Sequence, residues 1–194
     1  MAPIPSPEPP LLDADARRTL LDVARSSIAH GLTHGRALSL DPSDYRPALR
    51  AERAAFVTLH KGGALRGCIG HLEAIQPLVQ DVAENAFAAA FRDPRFAPLR
   101  EDEVPGLHIE ISVLTPAEPL AFDSEADLLR QVEPGRDGLI LRAGGARGTF
   151  LPSVWESLPQ PADFWRHLKM KAGLRPDFWS PDIEVFRYRT ESFA

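Results

Sequence analysis

Two spacings of apolar residues alternate along the chain, one of three to four positions and one of two. The first spacing predicts a helix that begins at its cap Asp13, runs to about His30 and stops at Gly31. Residues 35–53 contain two prolines and indicate a loop with at most a short turn of helix. The 19 prolines and 13 glycines of the chain favour a mixed fold of helices and strands over a helical bundle.

Two apolar runs, residues 54–60 and 65–71, flank a Lys-Gly-Gly-Ala sequence that is typical of a β-hairpin turn. A two-residue turn at the glycines pairs Val57 with Cys68 across the hairpin. Because alternate strand residues point to opposite faces, this register puts Cys68 on the face of Val57, Leu59 and Arg66, and the other face carries His60, Ile69 and His71. We therefore expect no His/Cys metal site within the hairpin.

A helix with a broad apolar face is predicted directly after the hairpin, from Pro77 to a stop ahead of Pro94. We interpret Asn85, at the margin of that face, as a surface or cap-bonding amide. Residues 107–114 then alternate strictly, which predicts a half-buried strand. Its polar positions either line a cleft or form a solvated sheet face, and the pattern leaves both open for His108, Glu110 and Ser112.

Helix and strand patterns are also present in the second half of the chain, without an internal sequence repeat. A helix start at Ser124, a second Gly-Gly hairpin within residues 139–151 and a final strand at residues 183–190 are predicted. A helix from Pro161 to Gly173 has a buried apolar stripe, and Lys169 lies outside it, so we expect Lys169 to be solvated or bonded to a carbonyl group.

Composition limits the classes of function. The 22 basic and 27 acidic residues form no long block of one sign, which makes nucleic acid an unexpected partner. No run of 18 apolar residues exists, so no membrane span is expected. A single cysteine cannot form an internal disulfide, and with no apolar export segment at the N-terminus the sequence predicts a cytoplasmic protein. Residues 1–10, with five prolines, are predicted to form a disordered tail.

The single cysteine, Cys68, lies in the sequence Leu-Arg-Gly-Cys-Ile-Gly. A buried structural thiol is one interpretation, because a lone cysteine often packs as a small apolar residue. A nucleophile, redox group or metal ligand is the second, because the positive charge of Arg66 would favour the reactive thiolate. A catalytic base would have to come from outside the hairpin, and His108 with Glu110 is the pair that the sequence offers.

Several separate motifs in one order make the chain resemble the AMMECR domain family, whose bacterial form is called AmmeMemoRadiSam system protein A. The motifs are LRGCIG at 65–70, NAFAAAFRDPRF at 85–96, IEISVL at 109–114, GLI at 138–140, GTFLPSV at 148–154 and KAGL at 171–174. The resemblance covers nearly everything after the tail. It implies an α+β fold, with a mainly antiparallel sheet and flanking helices, in which residues 11–194 form a single domain of larger and smaller lobes with a groove between them.

No reaction is implied by the resemblance, because the family name reflects gene association with a Memo-type protein and a radical-SAM enzyme. The sequence contains no nucleotide-binding loop, metal-spaced cluster or nucleophile elbow, and it leaves any cofactor and the oligomeric state open. We expect a ligand- or partner-binding module of that system, and the alternative is a cysteine-dependent enzyme or redox protein that uses Cys68. The expected binding surface consists of Leu65, Arg66, Gly67, Cys68, Ile69, Gly70 and Glu110.

Overall fold

Four strands with alternating apolar residues form the first of two sheets in the computed structural model of the protein, which describes residues 11–194. The predicted disordered tail lies outside these residues. The strands of this sheet, called sheet 1 here, lie in the order β2-β1-β3-β8. Their bounds are β1 Ala55–Lys61, β2 Ala64–Gly70, β3 Leu107–Leu114 and β8 Thr190–Phe193. Both predicted strands of the first hairpin and the strand at 107–114 are confirmed.

The helices of the first half pack on one face of sheet 1. They are α1 Ala14–His34, α2 Pro47–Arg50 and α3 Leu78–Phe91, with a short 3-10 turn at Pro42–Asp44 between α1 and α2. Val57, Leu59 and Ile111 point from the strands into the core that α1 and α3 cover. Buried apolar area of this kind is the main stabilising contribution in a domain of this size.

The predicted stop of α1 at Gly31 is wrong, because the helix continues to His34 and is capped by Gly35, whose φ is 67°. Gly31 is needed for close packing instead. A Cβ atom there would lie 2.5 Å from the ring of Phe91 on α3. The absence of a side chain lets the two helices approach each other, and the residue is fully inside the helix.

The register predicted for the first hairpin is confirmed for the pair of His60 with Leu65 and is wrong for the pairs farther from the turn. Gly62 and Gly63 form the turn with φ values of 59° and 81°, as a type I′ turn requires. A β-bulge between Leu59 and His60 then leaves Arg66 as an extra residue, so that Leu59 pairs with Gly67 and Thr58 pairs with Cys68. The shift by one residue turns Cys68 away from the helices, to the face opposite Val57 and Leu59.

The second half of the chain forms a second antiparallel sheet of order β4-β7-β5-β6 with its own core. Its elements are β4 Glu118–Leu120, α4 Glu125–Gln131, β5 Gly138–Ala143, β6 Ala146–Phe150, α5 Pro161–Lys171 and β7 Glu184–Tyr188. The second hairpin is confirmed. The predicted final strand is divided into β7 and β8 at Arg189, whose backbone N–H donates to Thr115 Oγ1.

The prediction for Lys169 is half right. Its ammonium group donates to the carbonyl of Phe178, at 3.3 Å, but the side chain is 2% exposed and ion-paired with Glu125 at 3.0 Å. A buried lysine needs such partners, and a solvated one is excluded here.

The chain divides into two compact units, one comprising the described residues up to Leu114 with Glu191–Ala194 and the other Thr115–Thr190. Helices with two antiparallel four-stranded sheets confirm the predicted α+β fold. The single domain and the groove implied by the resemblance stay predictions. No helix among residues 11–194 has both the length and the apolar character to span a bilayer.

Candidate functional site

The face of sheet 1 that points away from α1 and α3, called the outer face here, carries Cys68 in a row with two polar side chains. Cys68 on β2 is opposite Thr58 on β1, which is opposite Glu110 on β3. Thr58 Oγ1 donates a hydrogen bond to Cys68 Sγ at 3.2 Å. The sheet order therefore brings together two residues, Cys68 and Glu110, that the sequence singled out separately.

Two histidines occupy the next row of the outer face, since His60 on β1 is opposite His108 on β3. The expectation that no histidine of the hairpin shares a face with Cys68 is therefore wrong, and the bulge is the reason. Within residues 11–194, the side chains of His60, His108 and Glu110 make no hydrogen bond or ion pair. Their nitrogen and oxygen atoms are available to an external group.

Two charged side chains bind the backbone of Cys68 along the edge of β2 that does not pair with β1. Its N–H donates to Asp93 Oδ2 at 2.9 Å, and its carbonyl accepts from Arg95 Nη2 at 3.3 Å. Asp93 is 1% exposed, and its hydrogen bonds from Arg95 hold the pKa of its carboxyl well below the usual range. An Asp-Pro-Arg turn thus takes the place of a neighbouring strand along this part of β2.

The glycines beside Cys68 serve close packing within the protein. A Cβ atom on Gly67 would lie 2.1 Å from the carbonyl oxygen of Ala89 on α3, and one on Gly70 would lie 2.4 Å from the Phe56 ring. A glycine within a strand often marks the close approach of another backbone, and at Gly67 the approaching backbone is that of α3.

Arg66 is engaged away from the thiol. Its Nε and Nη2 atoms donate to the two carboxylate oxygens of Glu103 at 2.8 and 3.0 Å, and Nη2 also donates to the carbonyl of Ala97. The paired guanidinium lowers the pKa of Glu103 to about 2. Arg66 was expected to assist Cys68, but the cation that contacts the Cys68 backbone is Arg95.

The two remaining members of the predicted surface differ in direction. Leu65 is opposite His60 on the outer face and is 40% exposed. Ile69 packs against the core between the sheet and the helices. Of the six residues 65–70, the outer face therefore presents Leu65 and Cys68 most directly.

A second polar cluster lies where β2 ends and α3 begins. His71 Nδ1 is 2.5 Å from Asp81 Oδ1, and Asp81 Oδ2 accepts from the backbone N–H of Ala55 at 2.9 Å and from Asn85 Nδ2 at 2.9 Å. Asn85 also donates to the carbonyl of Ala55 at 3.2 Å. Burial is the largest influence on Asp81 and raises the pKa of its carboxyl, while the hydrogen bond with His71 acts in the opposite direction.

The interpretation of Asn85 as a surface amide is wrong, because the residue is 1% exposed and binds a strand backbone. Asp81 and Asn85 are four positions apart on an otherwise apolar helix face, a spacing that brings side chains together. This spacing in the sequence could have indicated the polar cluster of Asp81 and Asn85. Asp93, Arg95 and Thr58 had no comparable signal, because their roles depend on which strands are adjacent.

No group of three or more His, Cys, Asp or Glu side chains in the described part of the chain has an arrangement that could hold a metal ion. The groups that the outer face presents to a ligand or partner are a thiol, a hydroxyl, a carboxylate and two imidazoles. These groups form hydrogen bonds, transfer protons or react through sulfur.

Comparisons with known proteins cover almost the whole chain. The family model AMMECR1 matches residues 21–193. A protein of Methanothermobacter thermautotrophicus is 42% identical over 188 residues, which are 94% of this chain and 95% of that protein. A protein of Methanopyrus kandleri is 40% identical, over 90% of this chain and 86% of the relative.

A solved structure shares the fold. The crystal structure of uncharacterized protein PH0010 from Pyrococcus horikoshii matches with a TM-score of 0.78 and 35% sequence identity. The match covers 89% of this chain and 88% of the archaeal one.

Proposed function

We propose, from the premise that this chain belongs to the AMMECR1 family, that the protein is a ligand- or partner-binding module whose binding surface is the outer face of sheet 1 around Cys68. The surface combines the predicted residues Leu65, Cys68 and Glu110 with His60 and His108. Thr58 lies at its centre.

One observation carries this proposal, namely that Glu110, His60 and His108 have no side-chain partner among residues 11–194. Nearby charged residues are paired, as Arg66 is with Glu103 and Asp93 is with Arg95. Polar groups that gather on one face without protein partners retain their capacity to bind external groups.

The fixed backbone of Cys68 adds to this support. Asp93 and Arg95 bind its N–H and carbonyl groups, and Gly67 packs on α3, so the thiol is held at a defined position. A surface that is ordered before binding loses less conformational entropy when it binds. The partners that the resemblance implies are a Memo-type protein and a radical-SAM protein, and we include them in the proposal.

The test is co-purification of the full chain with a Memo-type protein and with a radical-SAM protein. We expect Cys68→Ala and Glu110→Gln to melt close to wild type and to lose most of the association. Glu118→Gln is the control, since Glu118 is also a strand carboxylate, although a more exposed one, and belongs to the other sheet. Wild-type protein that associates with neither partner, or variants that bind as wild type does, would contradict the proposal.

A cysteine-dependent enzyme or redox protein is the second candidate, favoured by the placement of His60 and His108 on the face of Cys68. A hydroxyl that donates to sulfur, as Thr58 does, stabilises the thiolate that reacts. Alkylation of the wild-type thiol with iodoacetamide across pH tests this reading, with Cys68→Ser as the blank. A thiol that reacts no faster than a free cysteine would rule it out.

A further inference from the structure

His71, the residue after the Leu-Arg-Gly-Cys-Ile-Gly sequence, forms a close pair with a buried carboxylate. Its Nδ1 atom is 2.5 Å from Asp81 Oδ1. The side chain of Asp81 is 1% exposed and that of His71 is 38% exposed. The carboxylate end of the pair is therefore inside the protein, and the imidazole reaches solvent.

The structural task of Asp81 does not require His71. Asp81 Oδ2 and Asn85 bind the backbone N–H and carbonyl of Ala55, which attaches α3 to the start of β1. Asp81 Oδ1 also accepts from Gln76 Nε2 at 3.2 Å. Each oxygen of the buried carboxylate thus has a donor besides His71, and the imidazole is an addition to an already satisfied group.

The pair determines which nitrogen of His71 carries the proton. Three protein N–H groups, from Ala55, Gln76 and Asn85, donate to the oxygens of Asp81 and favour its ionised form. An ionised carboxylate only accepts hydrogen bonds, so Nδ1 donates its N–H to Asp81. In the neutral imidazole the other nitrogen, Nε2, is then an acceptor. His71 makes no hydrogen bond through Nε2 among the described residues.

The charged groups near the His71–Asp81 pair restrict the charge of a ligand that donates a hydrogen bond to His71 Nε2. Gln76 Nε2 lies between Asp81 and Glu84, at 3.0 Å from Glu84 Oε2, so two carboxylates lie on the same side of the cluster. An anionic ligand would be repelled there. The described residues provide no group of three metal ligands, which favours a proton-donating ligand over a metal ion.

We propose that His71 Nε2 is a proton-accepting site for an uncharged or cationic ligand that carries an O–H or N–H donor, with Asp81 as the residue that positions the imidazole. The site lies on the helix side of β2, apart from the outer face around Cys68, and consists of residues that no resemblance assigned. It does not depend on the thiol, so Cys68 variants leave it intact.

The first part of the experiment is ¹⁵N NMR of the imidazole rings in the full chain, with His71→Gln to assign the signal. We expect the Nδ1–H tautomer at His71. In Asp81→Asn the amide oxygen is retained by the Ala55 N–H, so the amide NH₂ faces His71, and we expect the tautomer to change to Nε2–H. His167 is the internal control, because its Nδ1 contacts the backbone carbonyl of Asp163 and must stay Nδ1–H in both proteins.

The second part uses three small probes of equal length on wild-type protein: butylammonium, butanol and butyrate. We expect the His71 ring signals to move with the first two and not with butyrate, while those of His167 stay in place. A wild-type Nε2–H tautomer, equal shifts with butyrate, or no shift with any probe would overturn the proposal. If Asp81→Asn fails to fold, the wild-type tautomer and the probes still decide the question.

Discussion

The two hairpins of the protein have the same Gly-Gly-Ala turn sequence but differ in the register of their strands. Each has Gly-Gly at its turn, and in each a glycine of the second strand packs against a helix, Gly67 against α3 and Gly148 against α5. The β5–β6 hairpin keeps one register along its length, whereas the β1–β2 hairpin shifts at a bulge. A single extra residue in the bulge, Arg66, therefore decides which face of the sheet carries the Cys68 thiol.

The difference teaches how a sheet presents a thiol. Without the bulge, Cys68 would face the helices and be a core residue, as the predicted register had it. With the bulge, Gly67 takes the position against α3 and Cys68 is turned to the outer face beside Thr58 and Glu110. The bulge and Gly67 therefore act together, and the following variants test each hairpin against the other.

The largest effect is expected from Gly67→Ala, because its Cβ would overlap a backbone carbonyl on α3 that no side-chain rotation can remove. We expect a loss of about 3 kcal/mol in unfolding free energy. Gly148→Ala meets the Cβ of Ala172 at 2.9 Å and should cost about 1–2 kcal/mol. Urea denaturation measures both.

Two features of the chain sharpen this measurement. Gly145→Ala is the control, because nothing lies within 4 Å of its Cβ and its φ is not positive, so it should be neutral or stabilising by up to about 1 kcal/mol. Trp155, Trp165 and Trp179 all belong to the second unit, so tryptophan fluorescence reports Gly148→Ala and far-UV circular dichroism is needed for Gly67→Ala. Equal costs for the two substitutions would contradict the comparison.

The next effect is expected from Asp93→Ala, which leaves the Cys68 N–H and the Arg95 guanidinium without their acceptor. We expect a loss of about 1–3 kcal/mol and faster alkylation of Cys68. Asp177→Ala removes an equally close but exposed ion pair with Arg175 and should change stability by less than about 0.5 kcal/mol. If Asp93→Ala loses no more unfolding free energy than Asp177→Ala, the contacts of Asp93 with Arg95 and the Cys68 backbone contribute little to stability.

The stability of the protein should depend on different residues at acid pH and at alkaline pH. The pKa of Glu103 is lowered to about 2 by Arg66, so this pair stabilises the protein fully above pH 4.5 and the contribution is lost as the pH falls toward about 2. Glu103→Gln should flatten that acid limb. Burial raises the pKa of Tyr188 to about 12, so its contribution is present below pH 10 and is lost as the pH rises toward about 12.

Tyr188→Phe is the matched variant for the alkaline limb, with a cost of about 1 kcal/mol at neutral pH for the hydrogen bond to the carbonyl of Phe150. Thermal melting between pH 2 and 11 measures both variants. An acid limb that is unchanged in Glu103→Gln, or an alkaline limb unchanged in Tyr188→Phe, would refute the corresponding assignment.

The smallest effect is expected from Thr58→Val, which keeps the side-chain shape and removes the donor to Cys68 Sγ. We expect iodoacetamide to react about 2- to 10-fold more slowly, because the hydroxyl no longer stabilises the thiolate. Thr149→Val is the counterpart in the second hairpin, and it should leave the reaction unchanged. A rate unaffected by Thr58→Val would mean that this hydrogen bond has no influence on the thiol.

Local patterns predicted the strands and turns well, because alternation and Gly-Gly are properties of neighbouring residues. The bulge escaped prediction because Arg66 is an ordinary strand residue, although a glycine within a strand, such as Gly67, is a known accompaniment of bulges. An error of one residue then reversed the predicted face of every residue of β2 after the bulge, from Gly67 onward.

The candidate site needed contacts between distant parts of the chain. Cys68 and Glu110 were each singled out from the sequence, but only the position of β1 between β2 and β3 puts them in one row. Asn85 was misread because its partner, the carbonyl of Ala55, is 30 residues away. Polar residues on an apolar helix face deserve a search for such remote backbone partners.

The side chains that cover β2 also bear on self-association. β2 is an outer strand of its sheet, and the free N–H and C=O groups of an outer strand are a template on which strands of other molecules can add. Asp93 and Arg95 occupy both backbone groups of Cys68, so a foreign strand could pair there only by displacing an ion pair. The Asp-Pro-Arg turn therefore protects the protein against edge-to-edge aggregation at the strand whose half-exposed thiol could otherwise crosslink two chains.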